Sequence, residues 1–428
     1  MSRTPSSPSP SSSPAPPLPE TAAEGAAVRV AIACGGTGGH LYPGLAVAER
    51  LWEAGARVTL VVSKKEVDQQ ALRGDARFDV LTLPAIGFST RRILGFTAAC
   101  YRSYRMALRA FRDDPPAALL SMGGFTSVPP AWAVRRAGGA VMLHEANAIP
   151  GRANRWLARF ARQGFVYFPE AAGRLAMSRT EVVGMPVRSQ FRDLDAGSCR
   201  LAMGLRPDRP VLLVMGGSQG ASGVNEAVFA AVPRVTRCVP GLQWLHLTGP
   251  AEEAKVRARY RDAGVQARVQ PFLTEMELAL GAADAAVARA GASSAAELAE
   301  VGVPPFFLPY PYAADDHQTA NARAFERTGA ARWMPQAEAY SEAFADSVVA
   351  LLTDATVRAG LKAGLAQWRR PDADRVLAER LLGSVAAARP ELSADGGRGA
   401  RSAHGPATHY DARETRAMAG PSRQASSS

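Results

Sequence analysis

A chain of 428 residues, of which 47% are hydrophobic, is long enough to fold as two domains with sizeable cores. The formal net charge of +11 favours a polyanionic partner (a nucleotide, an anionic lipid or a nucleic acid), although an Arg- and Ala-rich composition accounts for it equally well. The four cysteines lie far apart and form no CxxC pair, which argues against a structural zinc site or a disulfide framework. Neither a secretory signal nor a membrane-spanning run of about 18 apolar residues is predicted.

The first predicted strand is Val28–Ala33, which follows a Pro-, Ser- and Ala-rich segment, residues 1–27, that we expect to be disordered. This strand leads into Gly35-Gly-Thr-Gly-Gly-His40, a helix at about Pro43–Ala54 and a second strand at Val58–Val62. We place Pro43 in the first turn of the helix, where its missing N–H costs nothing. A strand, a glycine-rich loop, a helix and a strand predict the start of a doubly wound α/β domain.

Two further strands, Ala117–Ser121 and Ala140–Leu143, are predicted in the first half of the chain. A polar loop follows each of them, Met122–Thr126 and His144–Asn147 respectively, and Asn154–Ala161 is predicted to be helical. Ligands of open α/β sheets bind outside the carboxyl ends of the strands, so both loops are candidate site loops.

Residues 80–112 contain six arginines and no acidic residue, and apolar residues are interleaved between about 86 and 96. The arginines from Arg102 to Arg112 recur at helical spacing, so they could form one solvated stripe. The alternative is a basic surface with apolar flanks that lies on an anionic membrane. The sequence leaves both interpretations open.

The second half of the chain restarts with the same pattern. An apolar strand at Pro210–Met215 enters Gly216-Gly-Ser-Gln-Gly220, followed by a helix at Ala221–Val232 and a strand at Trp244–Thr248. We therefore predict two similar domains, at 28–190 and 191–362. Residues 363–388 are predicted to be helical and could return to the first domain, and residues 389–428 are predicted to be disordered.

The stretch Val287–Asn321 contains more candidate ligand-binding groups than any other part of the sequence. Ser294-Ala-Ala-Glu297 has capping-box spacing, which predicts a helix whose N-terminus attracts phosphate. Pro304–Pro309 fits a buried strand, and the stiff loop after it ends in acidic and amide side chains. Together these features predict a site for a nucleotide diphosphate.

Several side chains have both a functional and a structural interpretation. The Gly35–Gly39 loop could cradle phosphate or form a tight turn, and it matches neither GxGxxG nor a P-loop. His40 could be a general base or brace its loop, and Ser218 could bind phosphate or cap a helix. Glu297 could be only the capping-box acid, and Gln318 only a first-turn helix residue.

His144-Glu145-Ala-Asn147 ends a predicted strand and offers a further set of polar groups. Glu145 is a candidate general base or sugar contact, and Asn147 a candidate amide contact to a sugar. No third ligand at suitable spacing accompanies His144 and Glu145, and no Asp-x-Asp follows a strand, so we predict no metal site and no cofactor. Helix N-termini and arginine would then have to stabilise the negative charge of a leaving diphosphate.

The chain resembles the MurG family of peptidoglycan glycosyltransferases from about residue 28 to residue 385. The motifs that carry the resemblance are GGTGGHLYPGLAVAERL, MGGFTSVPP, HEANAIPGRANRWLARFA, GMPVR, GGSQGASGVNE and RAGASSAAELAEVGVPPFFLPYPYAADDHQTANA. The family implies a GT-B fold, an α/β architecture of two Rossmann-like, doubly wound parallel-sheet domains that face a cleft. It implies transfer of GlcNAc from UDP-GlcNAc to undecaprenyl-linked lipid I, forming lipid II, by a peripheral protein on the cytoplasmic face of the anionic inner membrane, with no nucleic-acid partner.

The resemblance also implies site residues. The donor-binding positions are Thr37, Gly38, Gly39, Asn147, Arg188, Ser218, Leu273, Ala292, Ser293, Ser294, Ala295, Ala296, Glu297 and Gln318. Within this set, Glu297 would hold the ribose hydroxyls, the backbone of Leu273 would read uracil and Gln318 would contact the sugar. His40 and Glu145 match positions implicated in activating or binding the acceptor. The segment from Leu273 to Met276 departs conservatively from the common family pattern, and the two tails have no counterpart.

Three alternatives remain at this stage. A glycosyltransferase that acts on diacylglycerol would share the architecture and the membrane surface. A nicotinamide-dependent oxidoreductase requires GxGxxG and an acidic residue after the second strand, where the chain has Ser63-Lys-Lys65. A non-catalytic nucleotide-sugar-binding protein would need the phosphate cradle but no base.

Overall fold

Two parallel β-sheets, each flanked by helices, form the framework of this computed structural model. The structure describes residues 27–87, 93–217 and 220–388. Both predicted tails, apart from residue 27, lie outside these ranges, and so do Ser218 and residues 88–92 of the predicted basic and apolar surface. Within the described ranges, no helix combines the length and the apolar character that crossing a bilayer requires.

The first sheet has the strand order β3-β2-β1-β4-β5-β6-β7 in the described part of the chain. Its strands are β1 (Arg29–Ala33), β2 (Arg57–Ser63), β3 (Asp79–Leu83), β4 (Ala118–Ser121), β5 (Ala140–Glu145), β6 (Gln163–Val166) and β7 (Thr180–Val182). The helices of this half are α1 (Gly38–Glu53), α2 (Glu66–Ala71), α3 (Ile93–Ala110), α4 (Val128–Arg136), α5 (Arg152–Leu157) and α6 (Pro169–Ala172).

The second sheet has the order β10-β9-β8-β11-β12-β13 among the described strands. These are β8 (Val211–Met215), β9 (Gln243–Leu247), β10 (Ala267–Gln270), β11 (Ala285–Ala288), β12 (Pro305–Phe307) and β13 (Arg332–Trp333). The helices are α7 (Ala196–Ala202), α8 (Ser222–Cys238), α9 (Glu253–Asp262), α10 (Met276–Ala282), α11 (Ala292–Val301), α12 (His317–Arg327), α13 (Glu342–Thr353), α14 (Ala355–Ala366) and α15 (Ala373–Ala388).

The central strands are hydrophobic along their whole length because helices cover both faces of each sheet. All five residues of β8 are buried, and so are all four of β4 and of β11. The strand order reverses beside β1 and β4 in the first sheet and beside β8 and β11 in the second. Such reversals open a crevice at the carboxyl ends of the strands, so each sheet presents one ligand-binding edge. The predicted α/β class and the doubly wound arrangement are therefore confirmed.

The predicted start of α1 is wrong. The helix begins at Gly38, inside the glycine-rich loop, and Pro43 lies within it rather than in its first turn. Pro43 has no N–H, so the carbonyl of Gly39, four residues earlier, receives no helical hydrogen bond from it. This carbonyl instead accepts a 2.9 Å hydrogen bond from Oγ of Ser293, in the other half of the molecule.

The predicted capping box at Ser294 is also wrong. Helix α11 begins at Ala292, its N-cap is Gly291, and no side chain caps it. Ser294 is therefore the third helical residue, and Glu297 lies in the second turn, so it cannot reach back to the N-cap. The helix starts earlier because Gly291, three residues after the end of the buried strand β11, adopts an extended conformation and is its N-cap.

The predicted strand boundaries differ from the observed ones by at most two residues, as expected for element termini. The helix predicted over Ala221–Val232 continues to Cys238. The helix predicted over residues 154–161 is instead α5 and ends at Leu157. The helical segment predicted after residue 363 is the end of α14 followed by α15.

The last helix crosses from the second half of the chain to the first. Leu377, Leu381 and Val385 of α15 are buried in the same cluster as Ile32 of β1 and Leu60 of β2. Helix α14, by contrast, packs on α11 and α13 of the second half. The chain therefore crosses between the two halves twice, once between β7 and α7 and once between α14 and α15.

A chain of alternating charges lies at this second crossing. The buried carboxylate of Asp374 pairs with Arg50 of α1 at 2.8 Å and with Arg192 at 3.5 Å. Arg192 also lies 3.7 Å from the buried carboxylate of Glu300 in α11, which Arg369 approaches to 3.3 Å. The cluster therefore links the last turns of α1 and α11, the two helices that begin at the cleft.

A buried asparagine links the two halves at the cleft itself. Nδ2 of Asn321, in α12, donates to Oδ1 of Asn147 at 3.1 Å and to the carbonyl of Ala290 at 3.0 Å. Its Oδ1 accepts from the N–H of Ala148 at 2.9 Å. Because Asn321 is only 1% exposed, water cannot replace these bonds without opening the interface.

We expect Asn321→Ala to destabilise the closed arrangement, because it leaves buried polar groups of both halves unpaired at a cost of about 1–3 kcal/mol each. Thermal unfolding should occur at a lower temperature, and small-angle X-ray scattering should give a larger radius of gyration. Asn225→Ala is the matched control, since Asn225 is equally buried but bonds only within the second half. An unchanged radius of gyration in Asn321→Ala would contradict this role.

Candidate active site

A cavity of about 1070 Å³ lies between the carboxyl ends of the two sheets. Its walls come from both halves of the chain: the loop after β1 and the start of α1 on one side, and the start of α11 and the loop before α12 on the other. A cavity of this size can enclose a nucleotide sugar. The reversal in strand order places it at the switch point of each sheet.

At its first residue, the glycine-rich loop lies so close to β2 that there is no room for a side chain. A Cβ atom on Gly35 would lie 2.5 Å from the backbone of Ser63, and Gly36 has a φ of +113°. Thr37 then serves as the N-cap of α1, and Thr37, Gly38 and Gly39 line the cavity. The first N–H groups of a helix have no acceptor inside it, so this turn presents donors to the cavity.

His40 lies in the first turn of α1 and lines the cavity. Its Nδ1 lies 3.0 Å from Oγ1 of Thr37, and its ring lies against Gly123 and Gly124. Both of these glycines have positive φ, and a Cβ on either would lie within 3.4 Å of the imidazole. Removal from water lowers the pKa of His40 to about 4, although the negative charge of Asp68 acts against this shift. His40 is therefore neutral at pH 7 and can accept a proton.

Glu145 does not line the cavity; it lies beneath it and is 2% exposed. Its two oxygens accept hydrogen bonds from the backbone of Asn147 and Gly151, at 3.0 and 2.9 Å, and from the side chains of Asn147 and Asn154, at 3.3 and 3.0 Å. Burial raises its pKa, and these bonds oppose the rise. Glu145 thus holds together the loop that carries Asn147, which argues against its predicted role as a base.

Arg188, which follows β7, and Glu297, in α11, both line the cavity and lie near each other. The guanidinium of Arg188 stacks over the rings of Tyr42, at 4.3 Å, and Phe191, at 5.2 Å. Burial raises the pKa of Glu297 to about 7, while the charge of Arg188 acts to lower it and that of Glu277 to raise it. No ion pair between Arg188 and Glu297 is formed, so the carboxylate remains available to accept hydrogen bonds from a ligand.

The N-terminus of α11 presents Ala292, Ser293 and Ser294 to the cavity. Ala295 and Ala296, which we also predicted as site residues, are buried in the core and do not line it. Because N–H groups of the first turn have no helical acceptors, this end of the helix can bind an anion.

Leu273 and Gln318 complete the predicted set within the cavity wall. Leu273 lies in the loop after β10, and Oε1 of Gln318 accepts a 2.9 Å hydrogen bond from the N–H of Tyr310. That bond fixes the amide of Gln318 and leaves its NH2 group as a donor. Asn147 also lines the cavity, but its Oδ1 is bonded to Asn321. Ser218 lies outside the described residues.

Several lining residues were not predicted. Tyr42 lies one turn after Gly38, Phe272 comes from the loop after β10, and His317 begins α12. Gly124 was not singled out, but it lies in the Met122–Thr126 loop that the sequence indicated as a candidate site loop. Among the described residues, no group of three or more His, Cys, Asp or Glu side chains could hold a metal ion.

Comparison with known proteins gives consistent matches over both halves. The Glycosyltransferase family 28 N-terminal domain matches residues 30–166, and the Glycosyltransferase family 28 C-terminal domain matches residues 211–373. The solved structure of MurG from Acinetobacter baumannii superposes with a TM-score of 0.65 at 26% identity, covering 83% of this chain and 99% of that one. The GT-B fold is thereby confirmed.

Two curated relatives carry the name UDP-N-acetylglucosamine--N-acetylmuramyl-(pentapeptide) pyrophosphoryl-undecaprenol N-acetylglucosamine transferase. The protein from Pelobacter propionicus is 34% identical over 377 residues, which span 83% of this chain and 99% of the relative. That from Halorhodospira halophila is 38% identical over 352 residues, spanning 81% and 96%. Since these matches extend over both sheets and the cleft between them, the chain belongs to the MurG family of glycosyltransferases.

Proposed function

We propose that the protein transfers GlcNAc from UDP-GlcNAc to the MurNAc 4-hydroxyl of undecaprenyl-pyrophosphoryl-MurNAc-peptide, converting lipid I to lipid II. The observation that carries this proposal is the cleft, in which a neutral histidine on one wall faces an anion-binding helix end and a free carboxylate on the other. The relatives' shared name supplies the identity of the two substrates.

In this proposal the second wall binds the donor. Glu297 accepts hydrogen bonds from the ribose hydroxyls, the backbone at Leu273 reads the uracil edge, and Gln318 contacts the GlcNAc hydroxyls with its free NH2 group. The diphosphate lies at the N-terminus of α11, where unpaired N–H groups and the helix dipole favour negative charge. Arg188 adds a fixed positive charge nearby.

The first wall binds the acceptor and supplies the base. Neutral His40 removes the proton from the MurNAc 4-hydroxyl as its oxygen attacks the anomeric carbon of GlcNAc. The bond to UDP breaks on the opposite face, which inverts the configuration. UDP leaves with the bonding electrons, and its charge is met by the end of α11 and the Gly35–Gly39 loop.

His40 is favoured over Glu145 as the base by position and by bonding. His40 lines the cavity, while Glu145 is buried below it and already accepts four hydrogen bonds. A base must come within hydrogen-bond reach of the proton that it removes. We therefore assign Glu145 to positioning the loop of Asn147 rather than to proton transfer.

We further propose that the protein lies peripherally on the cytoplasmic face of the inner membrane, with α3 toward the lipid. Leu94 is 82% exposed, and Ile93, Tyr101 and Met106 on the same helix are also exposed. Arg102, Arg105 and Arg109 of α3 add positive charge that anionic lipids would attract. Nucleic acid is not proposed as a partner, because the site is an enclosed cleft rather than a basic groove.

The roles of the two walls predict different kinetic effects. His40→Ala should lower kcat by about a hundredfold or more with little change in the UDP-GlcNAc KM, as expected when a general base is lost. Glu297→Ala should mainly raise the UDP-GlcNAc KM, by about tenfold or more, because two hydrogen bonds to a charged group are lost. Transfer of labelled GlcNAc to a lipid I analogue measures both.

Glu253→Ala is the control for Glu297, since Glu253 is a helical glutamate that is not among the cavity-lining residues and pairs with Arg257. The same assay with diacylglycerol as acceptor tests that alternative substrate, and release of UDP without transfer tests a protein that only binds or hydrolyses the donor. Normal transfer by both cleft variants would show that the site assignment is wrong.

The raised pKa of Glu297 predicts pH-dependent donor binding. Only the carboxylate can accept hydrogen bonds from both ribose hydroxyls, so affinity should be full above about pH 7 and fall as Glu297 is protonated below it, by at most about tenfold per pH unit. Calorimetric titration with UDP-GlcNAc from pH 5.5 to 8 measures the change, because both donor phosphates are esterified and stay charged. Glu297→Gln should bind more weakly and without this dependence; an equal dependence in the variant would assign it to another group.

A further inference from the structure

A buried carboxylate lies directly behind the glycine-rich loop, and the mechanism above does not use it. Asp68, in the short helix α2, is 0% exposed. Its Oδ2 accepts three hydrogen bonds: from the N–H of Gly36 at 2.8 Å, from the N–H of Ser63 at 2.9 Å and from Oγ of Ser63 at 2.6 Å. One oxygen atom therefore joins the loop after β1 to the end of β2.

The same segment also holds the other side of Gly36. Nζ of Lys65 donates to the carbonyl of Gly36 at 2.8 Å and lies over the ring of Phe125 at 5.4 Å. Gly36 has a φ of +113°, a conformation that needs external support to be retained in a flexible residue. Side chains of the β2–α2 segment thus fix both polar groups of Gly36, four residues before His40.

The carboxylate of Asp68 is hydrogen-bonded through only one of its two oxygens in the described part of the chain. Its Oδ1 is buried and has no hydrogen-bond partner among the described residues, and no ion pair is formed. Burying a carboxylate with one unpaired oxygen is costly, whereas a neutral amide could make the same three bonds through a single oxygen. The three hydrogen bonds at this position therefore do not require a negatively charged side chain, yet the side chain present is a carboxylate.

This charge acts on two buried neighbours, the thiol of Cys34, whose pKa it helps to raise, and the imidazole of His40. The negative charge of Asp68 favours the protonated imidazole, while Lys65, on the same segment, and His317, at the start of α12, disfavour it. His144 of β5 is the remaining titratable neighbour, and burial lowers its pKa to about 4, so it is neutral. Asp68 is thus the negative group that opposes the desolvation of His40.

We propose that Asp68 is a positioning residue of the transfer reaction, which fixes the glycine-rich loop through Gly36 and stabilises the positive charge that His40 acquires on taking the proton. This inference rests on the proposed role of His40 as the base. A single side chain outside the cleft, that of Asp68, thus stabilises both the glycine-rich loop and the protonated form of His40.

Asp68→Asn separates charge from geometry. The amide oxygen can take the place of Oδ2 and keep all three bonds, while the NH2 group occupies the place of the unpaired Oδ1. We expect kcat to fall by about three- to tenfold through weaker basicity of His40, with the UDP-GlcNAc KM within about twofold of the parent. In an NMR titration of the histidine rings, His40 should titrate about half a pH unit or more lower.

Asp68→Glu, which restores the charge, should recover part of the activity and of the titration. Asp75→Asn is the matched control, since Asp75 follows α2 and pairs with Arg77 near the surface. His40→Ala identifies the His40 resonance and shows separately whether His40 is needed for transfer.

The outcomes distinguish the two proposals. If His40→Ala is fully active, the proposed base is wrong and this inference falls with it. If His40→Ala is impaired but Asp68→Asn has parental kcat and an unchanged His40 titration, Asp68 is only structural and the inference alone is overturned. Should Asp68→Asn fail to fold, Asp68→Ser removes the same charge with a smaller side chain: His40 should again titrate at lower pH, and an unchanged titration would overturn the inference.

Discussion

The geometry of the site depends on two helix N-termini that meet across the cleft. Helices α1 and α11 follow central strands of the two sheets, and both begin where the strand order reverses. Pro43 leaves the carbonyl of Gly39 without a helical donor, and Ser293 at the start of α11 supplies one. The bond therefore uses an acceptor that proline removes from one helix, and it brings two sets of unpaired N–H groups to the same cavity.

The far ends of the same two helices are also joined. Arg50 of α1 and Glu300 of α11 belong to the charge cluster that Asp374 and Arg192 complete at the crossing of the chain. Breaking a buried ion pair is costly because it leaves an uncompensated charge, so this end resists separation. The cleft end is held by hydrogen bonds of Asn321 and Ser293 and by the ion pairs of Arg152 and Arg155 with Asp315.

Much of the fold followed from pattern and turn chemistry. Buried strands of β-branched and aliphatic residues, each followed by glycines and a helix, predicted the doubly wound halves, and their repetition predicted two domains. His40 was identifiable because it ends a glycine-rich loop after a strand, and Glu297 because of its spacing from Ser294 and the family resemblance. The predictions failed where two structures compete locally: Ser294 has the residue types of a capping box, but Gly291 starts the helix first. Pro43 suits a first turn, yet the glycines before it already adopt helical geometry.

The sequence by itself determined the fold class, the two glycine-rich loops and the membership of the family, because these depend on residue types at short spacings. Only the tertiary structure decided what each polar group does. In the folded protein Glu145 is buried and accepts four hydrogen bonds, and Ala295 and Ala296 lie in the core. Asp68 lies behind the loop that carries His40. Desolvation, and the charges that oppose it, depend on residues far apart in sequence, and the packing of the two halves brings these residues together.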